Sequence, residues 1–581
     1  MVRVRPRTTG RAIVVLLLAI AASETDAQIR SPIVFPTSGS PEAQALFVKG
    51  VTSLHNFEYE EALEAFRTAQ QRDPSFAMAY WGEAMTYHQT LWRNENVDEG
   101  RRALAKLAPT PAARAAKAKT PRERAWLAAV DVLFGDGDVV ARKKAYATAL
   151  GAIYAGAPDD AEAASFYALA LLGTMSRSLI GYVDSHEGYS DMLAGSEVQR
   201  RAGEILGRVL RAHPDHPGAL HYLIHAYDDP EHAHLALDAA RAYSKVAAKS
   251  SHALHMPAHI FFQLGLWHDA VLADRIAYDT SDAWCRDKNL PPTLRSYHSL
   301  SWLHYELLQL GRYREAKATM AELEPVVKSS GLLNLLSNLA TMRARYVVET
   351  EQWALMGQER NFANINELYA IGVSAARTGN TALAELARQT LGQRAQAPEE
   401  GDLRPAAAIM ERQVAGMMSL AAGRRDEAVA TLRAAADTEL ALPPPLGLPV
   451  PITPAPELLG DVLIEVGRPR EALDAFTKAL ARNANRTRSV LGMARASAAV
   501  GDTAGARTHY QQLLANYDHA DADVPEAREA RDFIAGRGAG GWWAAVAVSI
   551  ALAGVVVAAV VVWSRRATPP LSRAERRRRE R

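Results

Sequence analysis

The sequence predicts an all-α solenoid of stacked helical hairpins, and three observations carry that prediction. Residues 220–278 hold one helical pattern written twice, LHYLIHAYDDPEHAHLALDAARAY and LHMPAHIFFQLGLWHDAVLADRIAY. The two copies stand at a pitch of about 34 residues, the spacing of a helical-hairpin repeat. The chain is 48% hydrophobic but only 7% aromatic, which suits many small helical units better than one large globular core. Glycine and alanine pairs then recur along the remaining sequence at the spacing of a short turn and the helix after it.

Taken in order, residues 1–27 read as an export signal. Arg3, Arg5, Arg7 and Arg11 form a basic start, 12–22 an apolar run, and Thr25-Asp26-Ala27 a small-residue cleavage site. A polar leader, 28–40, precedes the first repeats at 41–108. Gly50, Ala62, Phe66, Ala69 and Pro74 stand at spaced positions in that stretch, and Trp81 with Gly82 restarts the pattern. Together these residues resemble the tetratricopeptide repeat family. In that family a small residue at helix contact, an alanine at closest approach, an apolar pair and a helix stop recur in each unit. Ser53 departs from that pattern, which has tyrosine there.

Residues 109–121, APTPAARAAKAKTP in essence, are poor in large apolar side chains and bracketed by proline, so they read as a linker or weakly helical excursion. Helical repeats resume at 122–214, a histidine-rich pair of repeats follows at 215–325, divergent repeats at 326–400 and C-terminal repeats at 401–530. Gly311, Gly379, Gly423, Gly467 and Gly501 mark these later units, and the steps between their alanines are irregular, so the array carries insertions. One of them, LPPPLGLPVPITPAP, is too rich in proline for a helix and is expected to loop out of the stack. A glycine-rich stem, 531–541, leads to 542–563, an uncharged stretch bounded by tryptophans and long enough to span a bilayer. The basic tail, 564–581, is then expected to be cytoplasmic, making the chain a single-pass cell (inner) membrane protein with its repeats extracytoplasmic.

Net charge is +1, but both ends are basic, which leaves the intervening chain mildly acidic and argues against a nucleic-acid surface. Cys285 is the one cysteine, so no disulfide framework exists; Arg286 and Lys288 beside it could activate a thiolate, though no histidine adjoins it in sequence.

Chemistry concentrates in the histidines, 13 of 17 lying between His186 and His304. His221 and His225 are four apart, and His255 and His259 restate that pair in the same register of the next repeat. Each pair therefore shares one helix face. With Ala236 and Ala270 at closest approach, the tetratricopeptide resemblance implies that His221, His225, His255, His259 and His298 line one concave channel, joined by Phe262, Ser301 and Tyr305, with His55 a further candidate. Three readings are open. The rings pack helix ends, satisfied by backbone and by Asp228, Asp229 and Glu231; or the channel is a surface for a protein or peptide partner; or His221, His225, His255 and His259 hold zinc or another transition metal. Met256-Pro257 after His255 reads as a helix start, which would splay the second pair. Glu187 and Asp191, one repeat before His221 and His225 and in matching register, could add carboxylates. No zinc-protease helix, nucleophile elbow or phosphate loop is present.

The strings HYLIHAYDDP, HALHMPAHIFFQLGLW, FAMAYWGEAM and FYALALL resemble exported bacterial tetratricopeptide proteins over residues 41–320. That resemblance implies a fold and a cell-envelope compartment, and no activity. The expectation is a membrane-anchored extracytoplasmic scaffold that binds a protein or peptide through its groove; the alternative is a metal-dependent enzyme, such as a hydrolase, built on the four paired histidines.

Overall fold

The computed structural model describes residues 33–92, 94–175, 197–356, 364–444 and 447–537. Among them the chain is a run of α-helices packed as antiparallel hairpins, such as Pro41–His55 on Tyr59–Arg72 and Ser251–Gln263 on Trp267–Asp287. The one extended pairing among the described residues is a short ribbon, His88–Gln89 against Asn94–Glu95. Helix starts are set by side-chain caps: Ser40, Asn96, Asp138, Asp160, Ser250 and Asn364 each accept a backbone N–H of the first turn, relieving donors that would otherwise be orphaned. Hairpin turns close on residues in the left-handed region, where glycine costs least: Gly265, Gly311, Gly379, Gly423, Gly467 and Gly501 have φ between 65° and 84°.

The small-residue positions have a direct cause. A Cβ on Gly50 or on Gly82 would collide with the Phe66 ring, and one on Gly460 or Gly492 with Phe476. One aromatic ring thus fills the space where two neighbouring helices approach too closely for a side chain. This is the tetratricopeptide-like contact on which the repeat pattern rests.

Three connecting segments carry structure of their own, the first in the weakly helical form that the sequence allows. The 109–121 linker contains a short helix, Pro111–Lys117, capped by Thr110. Its anchor is polar: buried Arg114 pairs with Asp131 at 2.7 Å and donates to the Ala108 carbonyl, so an ion pair does the ordering that apolar side chains could not. The proline-rich insertion is not helical, but neither does it loop out. Leu448 joins the core of the histidine repeats, Gly447 lies against the Trp302 ring, and Val450 and Ile452 are buried in the C-terminal core. Its alternating apolar residues supply a packing face that proline content alone conceals. The C-terminal helix Pro525–Ile534 also runs into the expected stem.

The solenoid closes on itself. From the N-terminal side, Asn56 accepts from the Tyr243 hydroxyl at 3.0 Å, and Glu61 accepts from Trp284 Nε1 and Lys288 Nζ, both at 3.2 Å. From the C-terminal side, Asn485 accepts from Trp267 Nε1 at 2.9 Å and donates to the Gly265 carbonyl at 2.8 Å. Both ends of the array therefore pack against residues 217–330. Deep in the second contact Arg486, fully buried, donates to Glu349, Glu457 and the Tyr305 hydroxyl.

The expected single-pass membrane placement is corrected. No helix among the described residues is long and apolar enough to cross a membrane. The stretch 542–563, the export signal 1–27, the basic tail, and Glu187 and Asp191 lie outside the described residues.

Candidate metal centre

Three helices bring six imidazoles together. Pro217–Ala226 carries His221 and His225, Ser251–Gln263 carries His252, His255 and His259, and Tyr297–Gln309 carries His298, while the end of Pro41–His55 abuts them from the N-terminal repeats. The helix bearing three of them starts at Ser251, capped by Ser250, and continues through Pro257. The second pair is accordingly not splayed, because the proline sits in the second turn of a helix that begins before His255.

The six rings form two triads. In one, His221 Nε2 lies 3.1 Å from His225 Nε2 and 3.2 Å from His252 Nε2. In the other, His255 Nε2 lies 3.0 Å from His259 Nε2 and 2.9 Å from His298 Nε2. The triads adjoin, with the His225 and His259 ring centroids 6.4 Å apart. His221, His255 and His259 are buried, and His225, His252 and His298 are half-buried.

What lies behind the rings fixes their tautomers. His221 Nδ1 donates to the His55 carbonyl at 2.6 Å, His259 Nδ1 donates to Asp228 Oδ2 at 2.7 Å, and His255 Nδ1 donates to Asp274 Oδ1. Each of these rings has its Nδ1 proton committed and turns its Nε2 toward the neighbouring imidazoles. Burial holds His221 down to about pKa 3, and burial together with neighbouring imidazoles holds His252 and His255 well below the usual histidine range. Phe57, Tyr243 and Trp302 supply the apolar surround, Phe57 lying 4.4 Å from His221 and Trp302 4.4 Å from His259 between ring centroids. Gln263 Nε2 donates to the other oxygen of Asp228 at 3.1 Å. Glu306 is buried too; burial and the Asp274 charge push its carboxyl well above the usual carboxylate range.

At the floor of a cleft of about 670 Å³ lie His252, His255 and His298, with Trp92 and Trp284 on its walls and Lys49, Lys249 and Lys288 around it. Both triads thus contribute rings to one solvent-reachable surface.

A third group, His55, Glu162 and His216, behaves differently. His216 Nδ1 accepts from the Ala219 N–H at 3.1 Å, so its Nε2–H donates to Glu162 Oε1 at 3.0 Å. His55 Nδ1 accepts from the Tyr222 hydroxyl at 2.8 Å, and its Nε2–H donates to Glu162 Oε2 at 2.8 Å. Burial works against the Glu162 carboxylate, but the two histidines outweigh it and hold its pKa at about 2. Every donor here meets an acceptor. The group is a strut, and it presents the His55 carbonyl to His221.

Of the residues expected in the channel, His221, His225, His255, His259 and His298 are brought together, and His55 takes part through its backbone. Phe262 and Tyr305 are corrected as channel residues: both are buried, Phe262 packing on Trp302 and Tyr305, and Tyr305 bound to Arg486. Ser301 donates to its own helix, at the His298 carbonyl. Closure by the C-terminal repeats fills the space an open solenoid would leave there. Cys285 is buried, and burial raises its thiol pKa, against a reactive thiolate. Sequence reasoning missed His252, Asp274, Glu162 and His216. His252 is within reach of it, since His252, His255 and His259 stand at i, i+3 and i+7 on one helix face.

No protein-family model matches the chain, and no curated protein does. Among solved structures it is similar to the APC/C hetero-tetramer Cut9-Hcn1, with 12% identity over 87% of this chain and 78% of that one and a TM-score of 0.28. It is also similar to yeast Tom70, with 13% identity, 85% and 95% coverage and a TM-score of 0.26. A third likeness is to the P58(IPK) TPR domain, with 12% identity, 86% and 99% coverage and a TM-score of 0.20. At these scores the likenesses carry no argument, and the tetratricopeptide-like hairpins stand on the contacts within this chain.

Proposed function

We propose that this protein is a transition-metal protein whose two imidazole triads hold two ions at the floor of the cleft, where they serve chemistry on a small molecule. One observation carries this reading. His255 and His259 both have their Nδ1 atoms on carboxylates and their Nε2 atoms 3.0 Å apart in a buried setting, with His298 Nε2 2.9 Å from His255 Nε2. Imidazole nitrogens at that range need a proton or a metal ion between them; a proton joins only two, whereas a metal ion takes all three. Ligand nitrogens about 2.0–2.1 Å from a tetrahedral ion sit about 3.3 Å from one another, close to these spacings. Neutral imidazoles suit zinc, copper, nickel or iron and not the hard oxygen-seeking ions. Carboxylate support at Nδ1 is the usual outer shell of a histidine-bound metal.

An ion of this class supplies Lewis-acid or redox chemistry when bound. The chain's own part is to hold the rings in one tautomer, to exclude water on the Phe57 and Trp302 sides, and to admit a small molecule over His252, His255 and His298. Repeat solenoids also bind protein or peptide partners on exposed faces. The residues expected to do so here do not support that use of the channel, because Phe262, Tyr305 and His259 are buried.

Elemental analysis of the full chain purified from metal-supplemented medium tests the reading. We expect about two transition-metal ions per chain, with one lost in His252→Ala and one in His298→Ala, both half-buried positions that leave the fold intact. Absence of bound metal after supplementation and after direct titration would overturn it.

A further inference from the structure

We propose that the two metal positions are unequal: the His255–His259–His298 triad loads first and holds its divalent ion more tightly, and the His221–His225–His252 triad loads second. This rests on the metal reading above and adds an order to it.

The inequality is electrostatic and starts from what stands behind each ring. In the first-named triad two of three Nδ1 atoms are held by carboxylates, Asp274 on His255 and Asp228 on His259. Both carboxylates are buried, 0% and 3% exposed, so little water screens their charge. In the second triad the central ring, His221, has its Nδ1 on the peptide carbonyl of His55, a neutral dipole. A carboxylate at Nδ1 makes the imidazole more basic toward a cation at Nε2 and offsets part of the ion's charge in the interior; a carbonyl fixes the ring without contributing charge.

One further contact holds a charge in place: Gln263 Nε2 donates to Asp228 Oδ1, so that carboxylate has a donor on each oxygen. Apolar rings flank both triads, Phe57 at 4.4 Å from His221 and Trp302 at 4.4 Å from His259 between centroids, so the carboxylates and not the apolar surround set the difference.

The test titrates Co²⁺ into the metal-free full chain, read by its visible ligand-field bands and by calorimetry. Two classes of site are expected. His298→Ala should remove the tighter class and His252→Ala the weaker. Asp228→Asn, which keeps a hydrogen-bond acceptor for His259 but not the charge, should weaken the tighter class by about 10–100-fold and leave the weaker one unchanged. If circular dichroism shows Asp228→Asn misfolded, Asp274→Asn takes its place with the same expectation. A single class of equal sites, loss of the tighter class in His252→Ala, or no effect of either carboxylate substitution overturns the order while leaving the metal reading intact. No Co²⁺ bound at all overturns the metal reading itself, and the order with it.

Discussion

Two histidine groups adjoin in this molecule, joined through the His55 carbonyl and through the helix that His216 caps, yet their hydrogen bonds run in opposite senses. In the His55–Glu162–His216 group each ring proton has an acceptor and each ring lone pair a donor, the Tyr222 hydroxyl or the Ala219 N–H. In the six-histidine centre the Nδ1 protons of His221, His255 and His259 are spent outward, and the Nε2 atoms face one another. Burial, ring count and spacing therefore do not separate a packing cluster from a ligand set. The direction of each proton does, and it is decided by the groups behind the rings.

The largest expected effect falls on the satisfied group. Glu162→Ala strands the Nε2–H donors of His55 and His216 in the interior, at a cost of about 3–5 kcal/mol. Chemical denaturation of wild type and variant without metal measures it. The same difference between the two proteins should be found when both are saturated with Zn²⁺. A loss below about 1 kcal/mol would break the comparison, because it would mean that Glu162 is not holding those protons.

Metal should act on the other group alone. At a free ion concentration a hundred times the dissociation constant, binding to the folded chain adds about 2.7 kcal/mol per site. Thermal unfolding with and without Zn²⁺, followed by chelation, should show a reversible rise in Tm. His298→Ala should reduce the rise, whereas His216→Asn should lower Tm in both conditions and leave the rise unchanged. A rise that survives His298→Ala and His252→Ala together would place the ion elsewhere.

Much of this centre is legible in the sequence alone. The repeat register sets His221 and His225 beside His255 and His259, and the repeat pattern adds His298. His252 escapes because the register compares only equivalent positions, and its counterpart one repeat earlier is Gly218, pressed against the His55 ring. Asp274 and Asp228 are outer partners that no spacing rule fixes, since each meets its ring from a neighbouring segment of the stack. His55 meets His221 and Tyr222 across 166 and 167 residues of sequence, through closure of the superhelix. The same closure buries Phe262 and Tyr305. Repeat periodicity describes nearest neighbours and is silent on how far the superhelix winds. The proline-rich insertion differs from expectation for a related reason: proline content excludes helix, but the burial of Val450 and Ile452 depends on what lies opposite.

A lone buried ring calibrates what burial does without a cluster. His304 Nδ1 lies 2.9 Å from the Ala316 carbonyl and Nε2 3.0 Å from the Met342 carbonyl, and burial lowers its pKa to about 4. In the unfolded chain the ring titrates near its ordinary value of about 6.5. The unfolded state therefore takes up the proton first as pH falls. The stability that His304 contributes is full above about pH 6.5 and is lost as pH falls toward 4, by on the order of 3 kcal/mol. The stability difference between wild type and His304→Asn should shrink over that window. A difference independent of pH would show the ring is not held neutral by burial.

The smallest effect sharpens the comparison most, because it moves one proton. Tyr222→Phe removes the hydroxyl that donates to His55 Nδ1 and leaves the aromatic packing beside Phe57 in place. His55 Nδ1 then lacks its donor, at a cost of about 0.5–1.5 kcal/mol. The backbone carbonyl of His55 is not touched, so His221 keeps its Nδ1 partner and its Nε2 lone pair. The variant should lose that small stability while Co²⁺ titration returns both metal affinities within about twofold of wild type. A large loss of affinity would mean that the tautomer of His55 is transmitted to the metal centre, and that the two groups form one proton network in place of two.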